Sequence, residues 1–362
     1  MTASVAHPIG NPPSVQQRRA DQVASALDDF FAHAGRRAHA HGAAYVQLWR
    51  ELHASTTGGK LVRPQLVMRA NEGLGGSADT SIARVAAAFE LLHTALIVHD
   101  DVIDRDFVRR GKPNIPGKYR DLALANGADP ATADHHGLSA AVVAGDLALF
   151  YSYRMIDHAR LPERTRTQLL DLMDEALFAS AAGELLDLDY SGAVMIPTVD
   201  SILEMARLKT AVYSFEVPLK VGAVLAGAPA ETVEALGDFG RKIGTAYQIV
   251  DDLLGVFGDP LATGKSTTSD LREGKRTVLV AHAVTSDLWH QIEGLFGSAT
   301  LSDHEADELR HVFDASGARA FAENQLAEHV GRAEAILGQT VIPPALREEL
   351  RPMLADALRR QR

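Results

Sequence analysis

Apolar residues recur at helical spacing along most of the chain, and no stretch shows the sustained two-residue alternation of strands. We therefore predict an all-α fold with one domain over 14–362. Residues 1–13 are rich in Pro, Gly and Asn and are expected to form a disordered arm. The predicted helices span 15–34, 38–55, 64–74, 80–105, 138–159, 163–190, 198–206, 208–227, 230–258, 275–291, 303–315, 318–337 and 344–360.

Two long connections interrupt this pattern. The first, Gly111 to Gly137, is expected to be a surface loop or a partly helical insertion, and the second, Gly258 to Gly274, is dense in Gly, Thr, Ser and Lys. Connections of this length in a compact domain often act as lids or binding segments. Ser302 with Glu305 also predicts a capping box at the start of a helix.

One helical stretch ends in a cluster of charges. Residues 90–113 read ELLHTALIVHDDVIDRDFVRRGKP. On a helix Asp100 and Asp104 share one face, while Asp101 points about 100° away. Mg²⁺ is commonly held by one or two carboxylates while substrate phosphates supply further oxygens. The stretch therefore predicts a metal and diphosphate site at the rim of an apolar pocket.

A second stretch has the same design. Residues 247–259 read YQIVDDLLGVFGD, and Lys265, Lys275 and Arg276 follow. Asp251 and Asp252 on this helix could face the first acidic cluster and hold divalent ions between them, which would stabilise a diphosphate leaving group. The alternative is that both clusters are solvated helix ends. Two such clusters, each followed by cations, argue against that alternative.

Weaker signals surround these clusters. Lys60 and Arg63 stand three apart in GGKLVRP, at the start of a predicted helix where free N–H groups favour an anion, although an exposed basic turn has the same pattern. His93 and His99, taken alone, fit buried histidines with satisfied hydrogen bonds. Lys209 and Thr210 indicate a functional site only when they are considered together with the other motifs.

Composition excludes several classes of function. The chain has 362 residues and a net charge of −11 with no sustained basic stripe, which argues against nucleic-acid binding. It has no cysteine, so disulfides and thiolate chemistry are excluded. The N-terminus lacks an apolar signal region, and no run is expected to be long enough to cross a membrane, so we expect a cytoplasmic protein.

The ordered set of motifs resembles the trans-type polyprenyl diphosphate synthases, the family of farnesyl and geranylgeranyl diphosphate synthases. The matching segments are GGK‑‑RP at 58–64, ELLHT‑‑‑‑HDDVID at 90–104, RRG‑P at 109–113, AGD at 144–146, G‑‑‑D at 183–187, KT at 209–210, YQIVDD at 247–252, GK at 264–265 and D‑‑EGKRT at 270–277. The resemblance implies a bundle of mainly antiparallel helices around a deep cavity, and a homodimer.

The resemblance also implies a role for each matching residue. Isopentenyl diphosphate and an allylic diphosphate would be the substrates, with three Mg²⁺ ions. The implied metal ligands are Asp100, Asp101, Asp104, Asp251 and Asp252; the allylic diphosphate and reacting carbons would contact Arg109, Lys209, Thr210, Gln248 and Lys265; the diphosphate of isopentenyl diphosphate would contact Lys60, Arg63, His93 and Arg110; and Lys275 would help to close the site.

Product length should depend on side chains along the tail. Leu96 and Ala95 lie about one turn below the metal site and Leu92 about two turns below it. Many farnesyl-forming relatives have an aromatic residue at one of the first two positions, whereas this chain has neither. We therefore predict geranylgeranyl diphosphate (C20), limited by Leu92 and by Phe150 or Tyr151. Farnesyl diphosphate or a product of C25 and above are the alternatives.

The chain departs from the family pattern at two positions. Gly255 stands where the second acidic motif usually has a third aspartate; Asp259 could replace it if the helix continues that far, or Asp251 and water could suffice. Glu184 stands where many relatives have glutamine.

Two rival functions remain. A type I terpene cyclase also pairs two metal-binding helices, but it has no need of the second diphosphate pocket that Lys60, Arg63 and His93 suggest. A non-catalytic partner subunit would not need to keep the leading aspartates of both motifs.

Overall fold

The all-α fold is confirmed. The computed structural model describes residues 14–192, 196–259 and 267–359, so the predicted arm at 1–13 lies outside the described residues. The α-helices are α1 (Val15–Ala38), α2 (Ala43–Ser55), α3 (Val62–Gly73), α4 (Thr80–Ile103), α5 (Ile115–Ala125), α6 (Pro130–Asp157), α7 (Glu163–Gly192), α8 (Val199–Ala206), α9 (Val217–Leu225), α10 (Ala230–Phe257), α11 (Ser269–Glu273), α12 (Val278–Ala283), α13 (Asp303–Ala315), α14 (Ala318–Leu337) and α15 (Pro344–Arg359).

Of the two alternatives expected for Gly111 to Gly137, the structure has the partly helical segment and not the surface loop. This segment contains α5 and the first two turns of α6, which therefore begins at 130 rather than 138. Asp129 caps α6 by accepting hydrogen bonds from the backbone of Ala131 and Thr132. Gly137 does not end a loop: a Cβ there would come within 2.4 Å of the Pro116 carbonyl oxygen, so this glycine permits α5 to pack closely on α6.

Three further boundaries differ from the prediction. The expected helix 38–55 is divided by the 3₁₀ turn His39–His41 and Gly42, and the expected helix 275–291 consists only of α12 and the 3₁₀ turn Trp289–Gln291. The expected helix 208–227 begins as a π-helix, Arg207–Glu216, before continuing as α9. The capping box of Ser302 and Glu305 is confirmed.

Just after α4 the chain forms a two-stranded antiparallel hairpin, β1 (Val108–Arg109) and β2 (Lys112–Pro113). Both residues of its turn, Arg110 and Gly111, have positive φ, as a type I′ turn requires. The sequence pattern did not predict this hairpin because two-residue strands show no alternation.

Two apolar clusters form the core of the described residues. One is built around α10 and the C-terminal helices, and the other around α1, α4, α6 and α7. Helix α3 and the π-helix with α9 contribute side chains to both clusters, such as Leu66 and Phe215 to the first and Met68 and Val212 to the second. This shared layer joins the cluster that contains α4 to the cluster that contains α10.

Helix α4 corrects one expectation about membranes. Its length and apolar composition would suffice to cross a bilayer, contrary to the prediction that no run is long enough. However, 72% of its most apolar window is buried inside the protein. Burial of this kind is typical of the core helix of a globular domain.

Candidate active site

The end of α4 presents the first acidic motif, Asp100, Asp101 and Asp104, to the hairpin. The Arg109 side chain reaches back from β1, donating from Nε to Asp101 Oδ1 at 2.7 Å and from Nη2 to Asp100 Oδ2 at 3.2 Å. Asp101 is 2% exposed, so its carboxylate serves Arg109 rather than solvent. The hairpin therefore fixes a guanidinium directly on two of the three motif carboxylates.

Lys209, on the π-helix, contacts the other carboxylate oxygen of Asp100. Its Nζ lies 3.3 Å from Asp100 Oδ1, 2.6 Å from Asp187 Oδ2 and 3.1 Å from Glu184. Burial lowers the pKa of Lys209, but attraction by these three carboxylates outweighs burial and raises the pKa overall, so the side chain stays charged.

The close approach of α7 explains the G‑‑‑D pattern at 183–187. A Cβ on Gly183 would come within 2.1 Å of the Lys209 backbone nitrogen, so only glycine lets the π-helix pack here. Asp187, one turn later, then binds Lys209. Glu184 adds a second carboxylate to the same ammonium group, and burial raises its pKa.

The second acidic motif, Asp251 and Asp252, lies near the end of α10. Asp251 is exposed, whereas Asp252 is half-buried and accepts a hydrogen bond from Gln248 Nε2 at 3.0 Å. Lys275 lies between the motifs: its charge acts on both Asp104 and Asp252. The ends of α4 and α10 are therefore both within electrostatic reach of Lys275. Lys265 lies outside the described residues.

Asp259, the substitute considered from the sequence, does not meet its condition. Helix α10 ends at Phe257, and Gly258 has an extended conformation with ψ 165°. Asp259 is therefore not carried onto the helix face of Asp251 and Gly255.

Three motif carboxylates are poorly stabilised in their ionised form. Burial raises the pKa of Asp101 and of Asp104 to about 6, with repulsion from Asp100 adding to both shifts. Burial and repulsion from Asp270 raise the pKa of Asp252 to about 7, although the hydrogen bond from Gln248 opposes this. A bound cation would relieve this repulsion.

The donor chemistry fits magnesium. The carboxylates supply hard oxygen ligands, and in the described residues no group of three or more His, Asp or Glu side chains is arranged to hold an ion alone. Mg²⁺ sites completed by substrate phosphates take only one or two carboxylates from the protein, and the acidic motifs can supply these.

A second set of cations is held in a different way. Arg63, at the start of α3, donates from Nη2 to Tyr213 Oη at 3.1 Å and to Ser214 Oγ at 2.7 Å, and its guanidinium lies over the Tyr213 ring. The His93 ring stacks on the same tyrosine, and its Nδ1 lies 3.2 Å from Tyr213 Oη. Burial, followed by repulsion from Arg63, Arg109 and Arg110, lowers the pKa of His93 well below its usual value, so the imidazole is neutral at pH 7.

Lys60 and Arg110 are exposed at the rim of this second set. Beneath them lies Glu90, which is 5% exposed and attracted by both Arg63 and Arg110. Burial raises the pKa of Glu90 despite that attraction.

Backbone strain is concentrated around both sets. The non-glycine residues with positive φ in the described ranges are Leu61, Arg105 and Arg110. Leu61 follows Lys60, Arg105 follows Asp104, and Arg110 is itself a predicted site residue. Strained residues of this kind persist where the surroundings hold them and are common at functional sites.

The remaining predicted residues occupy the expected elements. Thr210 is half-buried on the π-helix, beside Lys209. On α4, Leu92 and Ala95 are fully buried and Leu96 is half-buried, one turn before Asp100. His99 lies 3.4 Å from Asp146 Oδ1, and a Cβ on Gly145 would come within 2.2 Å of its Nε2, which explains the AGD segment.

Sequence reasoning missed several site residues. Tyr213 and Ser214 gave no signal because their role depends on the π-helix, which the apolar pattern does not distinguish from an α-helix. Glu90 looked like one more residue of an apolar stretch. Asp187 was visible only as the last residue of the G‑‑‑D pattern.

Comparison with known proteins agrees with this arrangement. The family model described as polyprenyl synthetase matches residues 47–313. The chain is 33% identical over 309 residues to the geranylfarnesyl diphosphate synthase of Aeropyrum pernix, covering 84% of this chain and 91% of that protein. It is 32% identical over 309 residues to the (2E,6E)-farnesyl diphosphate synthase of Mycobacterium tuberculosis, covering 84% and 80% respectively.

The fold agrees as well. The crystal structure of geranylgeranyl pyrophosphate synthase from Corynebacterium glutamicum, complexed with isoprenyl diphosphate and magnesium, superposes with a TM-score of 0.89 at 28% identity, covering 96% of this chain and all of that one. The helical bundle with two acidic motifs and flanking cations thus defines a prenyltransferase. The chain belongs to the polyprenyl synthetase family, whose members join isopentenyl diphosphate to an allylic diphosphate.

Proposed function

We propose that this protein is a magnesium-dependent geranylgeranyl diphosphate synthase. The observation that carries this proposal is the presence of two cation sets with different partners. The acid-paired region, Asp100, Asp101, Arg109, Glu184, Asp187 and Lys209, suits a metal-bound diphosphate. The hydroxyl-paired region, Arg63, His93, Tyr213 and Ser214, suits a diphosphate bound without metal.

In the acid-paired region the allylic diphosphate would be bound for departure. Asp100, Asp104 and Asp251 would hold three Mg²⁺ ions, with Asp101 and Asp252 as supporting carboxylates. When bound, these ions would act as Lewis acids on the departing diphosphate. Arg109 and Lys209 already lie beside Asp100, so both would contact the same diphosphate and stabilise the charge that develops on it.

In the hydroxyl-paired region the diphosphate of isopentenyl diphosphate would bind Arg63, with Lys60 and Arg110 closing over it from the rim. Neutral His93 would donate one hydrogen bond. Tyr213 and Ser214 fix the guanidinium of Arg63, so little side-chain entropy is lost on binding.

The two substrates would then react between these regions. Loss of diphosphate leaves an allylic cation, and the double bond of isopentenyl diphosphate attacks that cation. The released diphosphate would accept the final proton. Thr210 and Gln248 would supply polar contacts beside the reacting carbons, while exclusion of water would prevent quenching of the cation.

Product length is the finer part of the proposal. The relatives carry farnesyl, geranylgeranyl and geranylfarnesyl names, so similarity alone leaves the length open. Neither residue 95 nor residue 96 carries an aromatic ring that would close the path below the first motif, which supports a tail beyond C15. Tyr151 packs against Trp49 and Phe30 with ring centroids 5.3 and 5.5 Å apart, and with Leu92 would end the path. Phe150 is 57% exposed and less suited to this role.

Incubation with Mg²⁺, isopentenyl diphosphate and each allylic primer tests the proposal. We expect C20 product from the wild-type chain. Ala95→Phe should shorten the product to C15, because the ring would fill the path, whereas the small control Ala95→Ser should leave it at C20. An unchanged product length in Ala95→Phe would show that this part of α4 does not determine product length. Cyclic hydrocarbon would favour the terpene cyclase, and absence of turnover with every primer would favour a non-catalytic subunit.

The chain is also proposed to form a homodimer. Helices α6 and α7 expose large apolar side chains at helical spacing: Val143 and Phe150 on α6, and Phe178, Leu185 and Leu188 on α7. Phe178 is 79% exposed, and patches of this kind mark interaction surfaces. Phe178→Asp should therefore shift the mass in solution from dimer to monomer, while Leu358→Asp, the same kind of change at a 40% exposed leucine of α15, should not.

A cytoplasmic location is part of the same proposal, supported by the burial of α4 within the fold. Cell fractionation tests it, and recovery of the protein in washed membranes would contradict it.

A further inference from the structure

The π-helix Arg207–Glu216 packs directly on two glycines of α10. A Cβ on Gly240 would come within 2.6 Å of the Glu216 Cα, and a Cβ on Gly244 would come within 2.9 Å of the Ala211 Cα. These neighbours are backbone atoms, which cannot rotate away as the end of a flexible side chain can. The two helices are therefore in contact through their backbones at both positions.

The spacing of this contact favours a π-helix over an α-helix. The two glycines are four residues apart and lie on nearly the same face of α10. Their neighbours Ala211 and Glu216 are five residues apart, and in an α-helix such residues would point about 140° away from each other. The wider i→i+5 turn brings them closer to one face. Such a turn is present here, because the Val217 backbone N–H donates to the carbonyl of Val212.

A buried ion pair holds the end of the π-helix on α10. Glu216 is the last residue of the π-helix and is 2% exposed. Its carboxylate accepts two hydrogen bonds from Arg241, from Nε at 3.1 Å and from Nη2 at 2.7 Å. Arg241 directly follows Gly240, so the ion pair and the backbone contact act on the same turn of α10. A bidentate pair fixes orientation as well as distance.

A second cation approaches Glu216 from α9. Lys220 is 6% exposed, and its Nζ lies 3.5 Å from Glu216 Oε1, 3.5 Å from Glu175 Oε1 on α7 and 3.7 Å from Glu234 Oε2 on α10. A buried carboxylate is costly unless it is paired. The charge of Glu216 is thus balanced by groups that join the π-helix to three neighbouring helices.

The position of the wide turn determines where the site residues of the π-helix point. Lys209 lies near its start and contacts the carboxylates of α7, whereas Tyr213 and Ser214 lie near its end and contact Arg63. If the wide turn moved along the helix, the residues that it passed would rotate by roughly one residue step, about 100°. One of the two groups of contacts would then be lost.

We propose that Glu216 and Arg241 are positioning residues whose ion pair keeps the wide turn in place. The pair thereby directs Lys209 to the acid-paired region and Tyr213 with Ser214 to the hydroxyl-paired region. This inference rests on the proposed function, because it assigns one ion pair to the geometry of both diphosphate-binding regions.

Three variants test the inference. Glu216→Gln removes the charge and keeps the shape of the side chain, and Arg241→Gln removes the partner. Asp238→Asn is the matched control, because the half-exposed Asp238 pairs with the same guanidinium, 3.3 Å from Nη1, but belongs to α10 itself. The measurements are the KM for each substrate, the Tm, and amide hydrogen exchange over residues 207–216.

We expect Glu216→Gln to raise the KM for isopentenyl diphosphate and for the allylic diphosphate about tenfold each, since small displacements of positioned groups are costly. Arg241→Gln should have the same effect on both substrates, and Asp238→Asn should stay within about twofold of wild type. Exchange over 207–216 should be about tenfold faster in Glu216→Gln than in Asp238→Asn. A pair that only stabilises the fold would lower the Tm without changing KM, because KM does not depend on the amount of folded enzyme.

Wild-type KM values for both substrates in Glu216→Gln would overturn the inference, as would a rise in only one of them. If Glu216→Gln does not fold, Arg241→Gln decides by the same criteria, because Lys220 still faces Glu216 in that variant. Failure of the proposed function is recognised separately, as absence of turnover by the wild-type chain with every allylic primer. The exchange measurement needs no substrate, so unchanged exchange over 207–216 in Glu216→Gln would overturn the inference in that case as well.

Discussion

The acid-paired and hydroxyl-paired regions both hold cations that are proposed to bind a diphosphate. They differ in the groups that hold those cations in place. In the first, Arg109 and Lys209 are bound by carboxylates. In the second, Arg63 is bound by the neutral hydroxyls of Tyr213 and Ser214. No ion pair joins Lys60, Arg63 or Arg110 to an acid within 4.0 Å in the described ranges.

Under the proposed function, this difference gives the two diphosphates different binding partners. An anion that enters the acid-paired region meets carboxylates as well as cations, so divalent ions must neutralise the carboxylates before it can bind. An anion in the hydroxyl-paired region meets cations whose charge is not already offset by a contacting acid. The proposal therefore places metal dependence in the acid-paired region alone, and each variant below tests whether the two regions are independent in this way.

The largest effect is expected for Asp104→Asn. Loss of a metal ligand should lower kcat about 100-fold or more, because charge stabilisation of the leaving group is the main catalytic contribution. The KM for isopentenyl diphosphate should stay within about threefold of wild type. Steady-state kinetics at varied Mg²⁺ provide the measurement, with the exposed neighbour Asp106→Asn as control. If the KM for isopentenyl diphosphate rose by as large a factor as kcat fell, the acid-paired and hydroxyl-paired regions would not be independent.

Arg63→Ala should produce a smaller and opposite pattern. The KM for isopentenyl diphosphate should rise about 10- to 100-fold, since a hydrogen bond to a charged group contributes about 1.5–3 kcal/mol, while the Mg²⁺ requirement stays unchanged. Ser214→Ala removes one support of the guanidinium and should have a weaker effect of the same kind. A raised Mg²⁺ requirement in Arg63→Ala would show that the regions are not independent.

The smallest effect concerns pH. The raised pKa values, about 6 for Asp101 and Asp104 and about 7 for Asp252, mean that the folded state binds more protons than the unfolded state between pH 4 and 7. Without metal, these groups therefore lower stability as pH rises through that range. Mg²⁺ with inorganic diphosphate should offset the loss, so the Tm increase that they cause should be larger at pH 8 than at pH 5.5.

Melting curves for wild type and Asp252→Asn measure this effect. The variant should lose part of the pH dependence. A Tm increase of the same size at both pH values in the wild type would contradict the assignment of these carboxylates to the metal site.

The fold and the acidic motifs were predictable because both are local. Helical spacing of apolar residues determines the helices, and the end of an apolar helix determines where Asp100 and Asp104 point. The helix α6 was placed too late because Gly137 was interpreted as part of a loop, whereas its function is close packing on α5.

The partners of the cations were not predictable, because they come from distant elements. Nothing in the sequence joins Arg63 to Tyr213, 150 residues later. The same holds for Glu216 and Arg241, whose ion pair joins the π-helix to α10.

The π-helix Arg207–Glu216 has a consequence for how the protein can evolve. Its wider i→i+5 turns carry Lys209 to the acid-paired region and Tyr213 and Ser214 to the hydroxyl-paired region. Under the proposed function, the segment therefore fixes the distance between the two bound substrates. Substitutions of the α4 side chains that line the proposed tail path would alter the hydrocarbon end of the product. They would leave the distance set by the π-helix unchanged. Loss of a single residue inside the segment would instead change the distance itself, so insertions and deletions should be selected against here more strongly than substitutions along the tail path.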